Sequence, residues 1–166
     1  MGRKKKLVEI EGVKEEKYIL SNEEFQPLLK QIYEKNMMAL ENQEEHLPIN
    51  VEPHKIICLR RLKGGGKKIA YIKKISNEYQ LLTEAKYFMV ICNDQYNMIQ
   101  DNKKKAWVIL HEYCHCWWNT EKQKYETIDH DICDFTFLIK DPEANLELVE
   151  DFVYVPKDYT QDNGVK

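Results

Sequence analysis

Apolar positions recur at helical spacing in two long stretches of the chain. Ser21-Asn22-Glu23-Glu24 reads as a capping residue followed by first-turn acids. Phe25, Leu28, Leu29, Ile32, Tyr33 and Met37 then share one face, predicting a helix that ends near Leu40. From Asn102 to about Asn119 the stripe Trp107, Leu110, His111, Cys114, His115, Trp118 predicts a second helix with a buried face. Between them lie three runs of β character: His54–Leu62, Ile69–Ile75 and the compact Tyr87–Cys92. Lys63-Gly64-Gly65-Gly66-Lys67 separates the first two as a flexible turn, and Pro48 and Pro53 bracket a loop. A third helix is expected from near Asp129, with Ile132, Phe135, Thr136 and Leu138, interrupted or restarted at Pro142.

These elements suit an α+β domain: an N-terminal helix on a short, mostly antiparallel sheet, then two further helices. The expected division is a charged lead-in over 1–20, a domain over 21–140 and a C-terminal extension over 141–166. Leu146–Tyr154 is amphipathic and Asp158–Lys166 reads as a tail. The 166 residues suit one domain, and the 43% hydrophobic content can supply a core.

Composition narrows the setting. The basic start Met1–Lys6 is followed by Leu7-Val8-Glu9-Ile10-Glu11, which is not a secretory apolar core, and no apolar run is long enough to span a bilayer. Five cysteines, an odd number without a signal, are expected to be reduced, so a cytoplasmic protein with no membrane contact is expected. The net charge of −3 names no partner. Residues 60–74 hold seven basic residues and no acid. They could touch nucleic acid, but a solvated hairpin edge guarded by lysines is the expected reading.

The chemistry concentrates in the second helix. His111 and His115, four residues apart, present two imidazoles one turn apart on one face, a spacing that lets them share a metal ion. Glu112 is rotated about 100° from His111. It can reach a water on the metal rather than the metal itself, as a general base for hydrolysis requires. Two satisfied core histidines, or a partly exposed helix face, would leave the same pattern, yet burying two imidazoles on an apolar stripe is costly without partners. A catalytic zinc wants a third protein ligand and an open position. Candidates lie in Tyr125–Phe135, which holds Glu126, His130 and Asp131; His46 and His54 are far upstream.

The blocks His111-Glu112-Tyr113-Cys114-His115 and His130-Asp131-Ile132-Cys133-Asp134-Phe135 resemble the putative phage metallopeptidase family. Its members show an HELxH helix, a variable loop and an HD-(V/I)-x-(D/E)-F block. The layout is similar over roughly residues 22–138; Tyr113 and Cys114 depart from the usual pattern. The resemblance implies a small zincin-like α+β fold, with His111, His115 and His130 on Zn2+ and Glu112 as base. It implies a peptide or protein substrate, and a helix after the metal helix that carries the last ligand. Asp131 or Asp134 could accept the other N–H of a metal-bound imidazole. Tyr125 could stabilise an oxyanion, although packing is the better explanation of it.

Two other readings compete. Cys114, Cys116, His130 and Cys133 could close a structural zinc site, but on a continuous helix Cys114 and Cys116 point about 200° apart. Cys114 is then a small core residue and Cys116 sits on the far face. Alternatively the scaffold binds metal without catalysis and acts through protein or nucleic-acid contacts; a structural metal would need no Glu112. Oligomeric state is unreadable from the sequence.

Overall fold

A computed structural model describes residues 17–130 and Tyr154. Strand β1 (Tyr18–Leu20) leads into helix α1 (Asn22–Glu41), and a short 3-10 turn over Pro53–Lys55 precedes strand β2 (Ile56–Arg61). Strand β3 (Ala70–Lys74), the one-turn helix α2 (Asn77–Gln80), strand β4 (Tyr87–Cys92) and the short helix α3 (Asn93–Asn97) follow. Helix α4 (Asn102–Cys114) then gives way to a hairpin of strands β5 (Cys116–Asn119) and β6 (Lys124–Thr127). The architecture is α+β, as the sequence suggested. Among the described residues, no helix is long and apolar enough to cross a membrane.

The main sheet has the order β1-β2-β4-β3. Among the described residues, three of the four strand pairings are antiparallel, but the central one, β2 with β4, is parallel. The expected β2–β3 hairpin therefore does not form. The Lys63–Lys67 turn carries the chain past the place that β4 later fills, so β3 ends up at the sheet edge. Its exposed Lys73 and Lys74 guard that edge against strand pairing. β4, buried along almost its whole length, is the centre of the core.

Helix α1 follows its pattern: Phe25, Leu28, Leu29 and Ile32 are buried at helical spacing. Its start is held by β2 rather than by the Ser21 hydroxyl. The Ser21 N–H donates to the Cys58 carbonyl (2.9 Å), and Asn22 Oδ1 accepts from the Cys58 N–H (2.7 Å). One turn from its end, buried Asn36 accepts from the Leu47 N–H and donates to the Ile49 carbonyl, tying down the following loop.

Tyr18–Leu20, at the end of the charged lead-in, pair antiparallel with β2. Two expectations change. The basic stretch is not one surface, because Arg60 is fully buried against Glu24. The second helix ends at Cys114 rather than Asn119. His115 caps it, and Cys116–Asn119 turn back as a strand, where the bulky Trp117 and Trp118 pack on a pleated surface. The helix expected after Asp129 and the whole 141–166 extension lie outside the described residues, apart from His130 and Tyr154.

Candidate metal centre

Helix α4 is capped by Asp101, whose carboxylate accepts from the Lys103 N–H, and packs on β3 and α1. Its buried face is Ala106, Ile109, Leu110 and Tyr113, with Glu112 and Cys114 beside it. That face differs from the expected stripe. Trp107, His111 and His115 form a neighbouring row, half-exposed, along the border between core and solvent. Tyr113 explains the rotation: its large ring turns inward and its hydroxyl donates to the Val51 carbonyl (2.5 Å). The two histidines are thus not core residues, and the desolvation argument applies to Glu112 instead, which is only 8% exposed.

The row is ordered by contact. The Trp107 and His111 rings lie 5.4 Å apart at a 38° tilt, and His111 meets His115 edge-on at 5.3 Å. His115 is held through its Nδ1, which donates to the Ile128 carbonyl (2.5 Å), while the Ile128 N–H donates back to the His115 carbonyl (2.9 Å). Such an outer bond to a carbonyl sets the ring angle and leaves Nε2 as the outward donor atom.

Past Ile128, the chain brings in the third imidazole. The His130 ring stands 4.9 Å from that of His111 and 4.6 Å from that of His115, and the Nε2 atoms of His130 and His111 are 2.9 Å apart. One donor atom from each of the three lies within 4.8 Å of the others, a group that could hold a metal ion. The donor set is three imidazoles, which suits transition metals rather than calcium or magnesium. His130 is exposed, so the cluster opens onto solvent.

The remaining sequence candidates fall elsewhere. Among the described residues, the cluster includes neither Glu126 nor any cysteine. Glu126 accepts from Asn119 (2.9 Å) and meets Lys124 (3.0 Å) and Lys122 (3.2 Å), and these bonds hold its carboxyl down at about 2. Cys114 and Cys116 do sit at a helix end, the one condition for a shared site, but both are buried in the hydrophobic core. Cys116 is therefore not on a far, outer face. Burial, with Cys114 next, pushes the Cys116 thiol up, which disfavours the thiolate a metal would need. Tyr125 packs its ring against Tyr87 at 6.1 Å and Trp118 at 4.7 Å. Asp131, Asp134 and Cys133 lie outside the described residues.

Ile128 is the site residue that the sequence did not signal. It acts through its peptide groups, which every residue type carries.

No curated protein and no solved structure matches the chain. Residues 17–159 match the family described as putative phage metallopeptidase, a span that takes in the whole histidine cluster and both of its sequence blocks, so the chain belongs to that family.

Proposed function

We propose that this protein is a zinc-dependent peptidase, in which His111, His115 and His130 hold the metal and Glu112 is the general base. The observation that carries the reading is the convergence of His130 on the helical pair, which completes a three-imidazole donor set open to solvent. Structural zinc sites are closed by four ligands, whereas catalytic ones keep a position open. Nitrogens on one tetrahedral zinc, at bond lengths of about 2.0–2.1 Å, stand roughly 3.3–3.4 Å apart. The 2.9 Å between the His111 and His130 nitrogens needs only a few tenths of an ångström of relaxation.

When bound, zinc would supply Lewis acidity, favouring hydroxide at neutral pH and polarising a peptide carbonyl. The chain's own work falls to Glu112. Its carboxylate takes the proton of the attacking water and returns it to the leaving amine nitrogen. The near-complete burial of Glu112 limits the water around that carboxylate and strengthens its interaction with a nearby proton donor. The Ile128 carbonyl keeps His115 in the tautomer with Nε2 available. Four described cysteines, all buried and unbridged, fit a reducing, cytoplasmic setting.

Replacing Glu112 with Gln tests the assignment. Zinc affinity is expected to be kept while cleavage of a peptide library is lost. Unchanged turnover in E112Q would remove Glu112 from the mechanism. Tight zinc binding with no cleavage by the native chain would favour a non-catalytic metal protein.

A further inference from the structure

The third histidine reaches the cluster on a two-stranded hairpin, and such a hairpin is at best marginally stable alone. A one-residue slip between β5 and β6 would move the chain beyond β6 by roughly 3.3 Å and turn its side chains to the opposite face. That displacement is large beside the 2.9 Å that separates His130 from His111. The His115–Ile128 bonds join the end of β6 to α4 at one point, and the body of the hairpin still needs contacts outside itself to hold its register and place.

We propose that Asn50 and Tyr87 are positioning residues for the histidine cluster, fixing the β5–β6 hairpin so that His130 meets His111 and His115. The inference rests on the metal reading above. Tyr87 is the first residue of β4 and fully buried. Its hydroxyl donates to the Glu126 carbonyl (2.6 Å), lies 3.1 Å from the Trp117 carbonyl, and accepts from the Trp117 N–H (3.3 Å). Trp117 and Glu126 face each other across the hairpin. One hydroxyl therefore touches both strands at a single rung and ties that rung to the central strand of the main sheet.

Asn50 holds the next rung. Its side-chain amide imitates a peptide unit: Oδ1 accepts from the Trp118 N–H and Nδ2 donates to the Trp118 carbonyl, each at 2.9 Å. Asn50 is itself fixed to the frame of α4. Its neighbours Ile49 and Val51 are buried, the Val51 carbonyl accepts from Tyr113 of α4, and the Ile49 carbonyl accepts from Asn36 of α1. The helix that carries His111 and His115 and the hairpin that leads to His130 are thus referenced to each other through two side chains that touch no histidine bond.

The test is zinc affinity, measured by competition with a chromophoric chelator, together with the visible absorption of the cobalt(II)-loaded protein. Asn50→Ala and Tyr87→Phe are each expected to weaken zinc binding by about 10- to 100-fold, the range for groups that orient ligands, and to lower the cobalt bands. Tyr96→Phe serves as the control. It removes a tyrosyl hydroxyl bonded to Tyr154 beyond the other end of β4, and is expected to reduce stability while leaving zinc affinity unchanged. If Asn50→Ala and Tyr87→Phe lose stability as Tyr96→Phe does but bind zinc like the native chain, the positioning role is wrong. If Tyr87→Phe fails to fold, half-buried Asn50 decides alone. His111→Ala separates the two levels: abolished binding there with intact binding in Asn50→Ala refutes only this inference, whereas intact binding in His111→Ala refutes the metal reading and this inference with it.

Discussion

His130 Nε2 stands 2.9 Å from His111 Nε2, although nineteen positions separate the two residues. A contact across a helix end and a whole hairpin makes the cluster a product of tertiary structure rather than of the helix alone. His130→Ala is therefore expected to lower zinc affinity by more than about 100-fold, beyond the range for a group that only orients a ligand. Chelator competition measures it, and affinity equal to that of the native chain would assign the third ligand elsewhere.

Arg60 and Glu24 form a fully buried pair. Arg60 donates through Nε (2.9 Å) and Nη2 (2.6 Å) to the two carboxylate oxygens, and through Nη1 to Asn93 (2.8 Å). The Phe25 and Tyr96 rings flank the guanidinium, and Tyr154 donates to Glu24. Arg60→Met leaves a buried carboxylate without its cation and is expected to cost about 3–5 kcal/mol. The double variant Arg60→Met/Glu24→Leu is expected to cost less than the single one, because no lone charge remains. Urea denaturation of both variants distinguishes them; a double variant less stable than Arg60→Met would contradict the desolvation argument.

Gly65 sits at φ +100°, and a Cβ there would stand 2.7 Å from Cys92 Sγ. Gly65→Ala is expected to destabilise the fold by roughly 1–3 kcal/mol from backbone strain alone, with the clash adding to it. Introducing Cys92→Ala into that variant is expected to relieve the Sγ clash, leaving the tighter-than-usual 3.1 Å contact with the residue 92 Cβ and the backbone part. Thermal unfolding of the two variants reads the difference, and an unchanged midpoint in Gly65→Ala would argue against this loop conformation.

Burial, with Glu24 next, pushes the Cys58 thiol from its ordinary 9.0 up to about 12. The folded state then keeps a proton that the unfolded chain releases, so stability falls as pH rises. The loss is expected to begin near pH 9 and to be complete near pH 12. Cys58→Ala should be less stable at pH 7 through its cavity but show a shallower decline across that window. An equally steep decline would place the alkaline sensitivity on other groups, such as the buried Tyr87 and Tyr96, whose hydroxyls burial also pushes up.

The chain itself determined whatever rests on neighbours in sequence. The apolar face of α1, the run Tyr87–Cys92 and the spacing of His111 and His115 follow from local periodicity, because a helix turn or a pleat places near residues in a fixed relation. Glu112 as the candidate base and His130 as the candidate third ligand were legible as motif blocks. Tertiary structure decided the rest. Trp117 and Trp118 fit a helical stripe as well as a strand, and only their pairing with Tyr125 and Glu126 selects the strand. The parallel β2–β4 pair, the burial of Arg60 and the border position of the two helical histidines each depend on a partner distant in the chain. The bonds from Ile128, Asn50 and Tyr87 that bring His130 to the site run largely to backbone groups. Backbone groups are the same at every residue, so no pattern of side chains could have announced them.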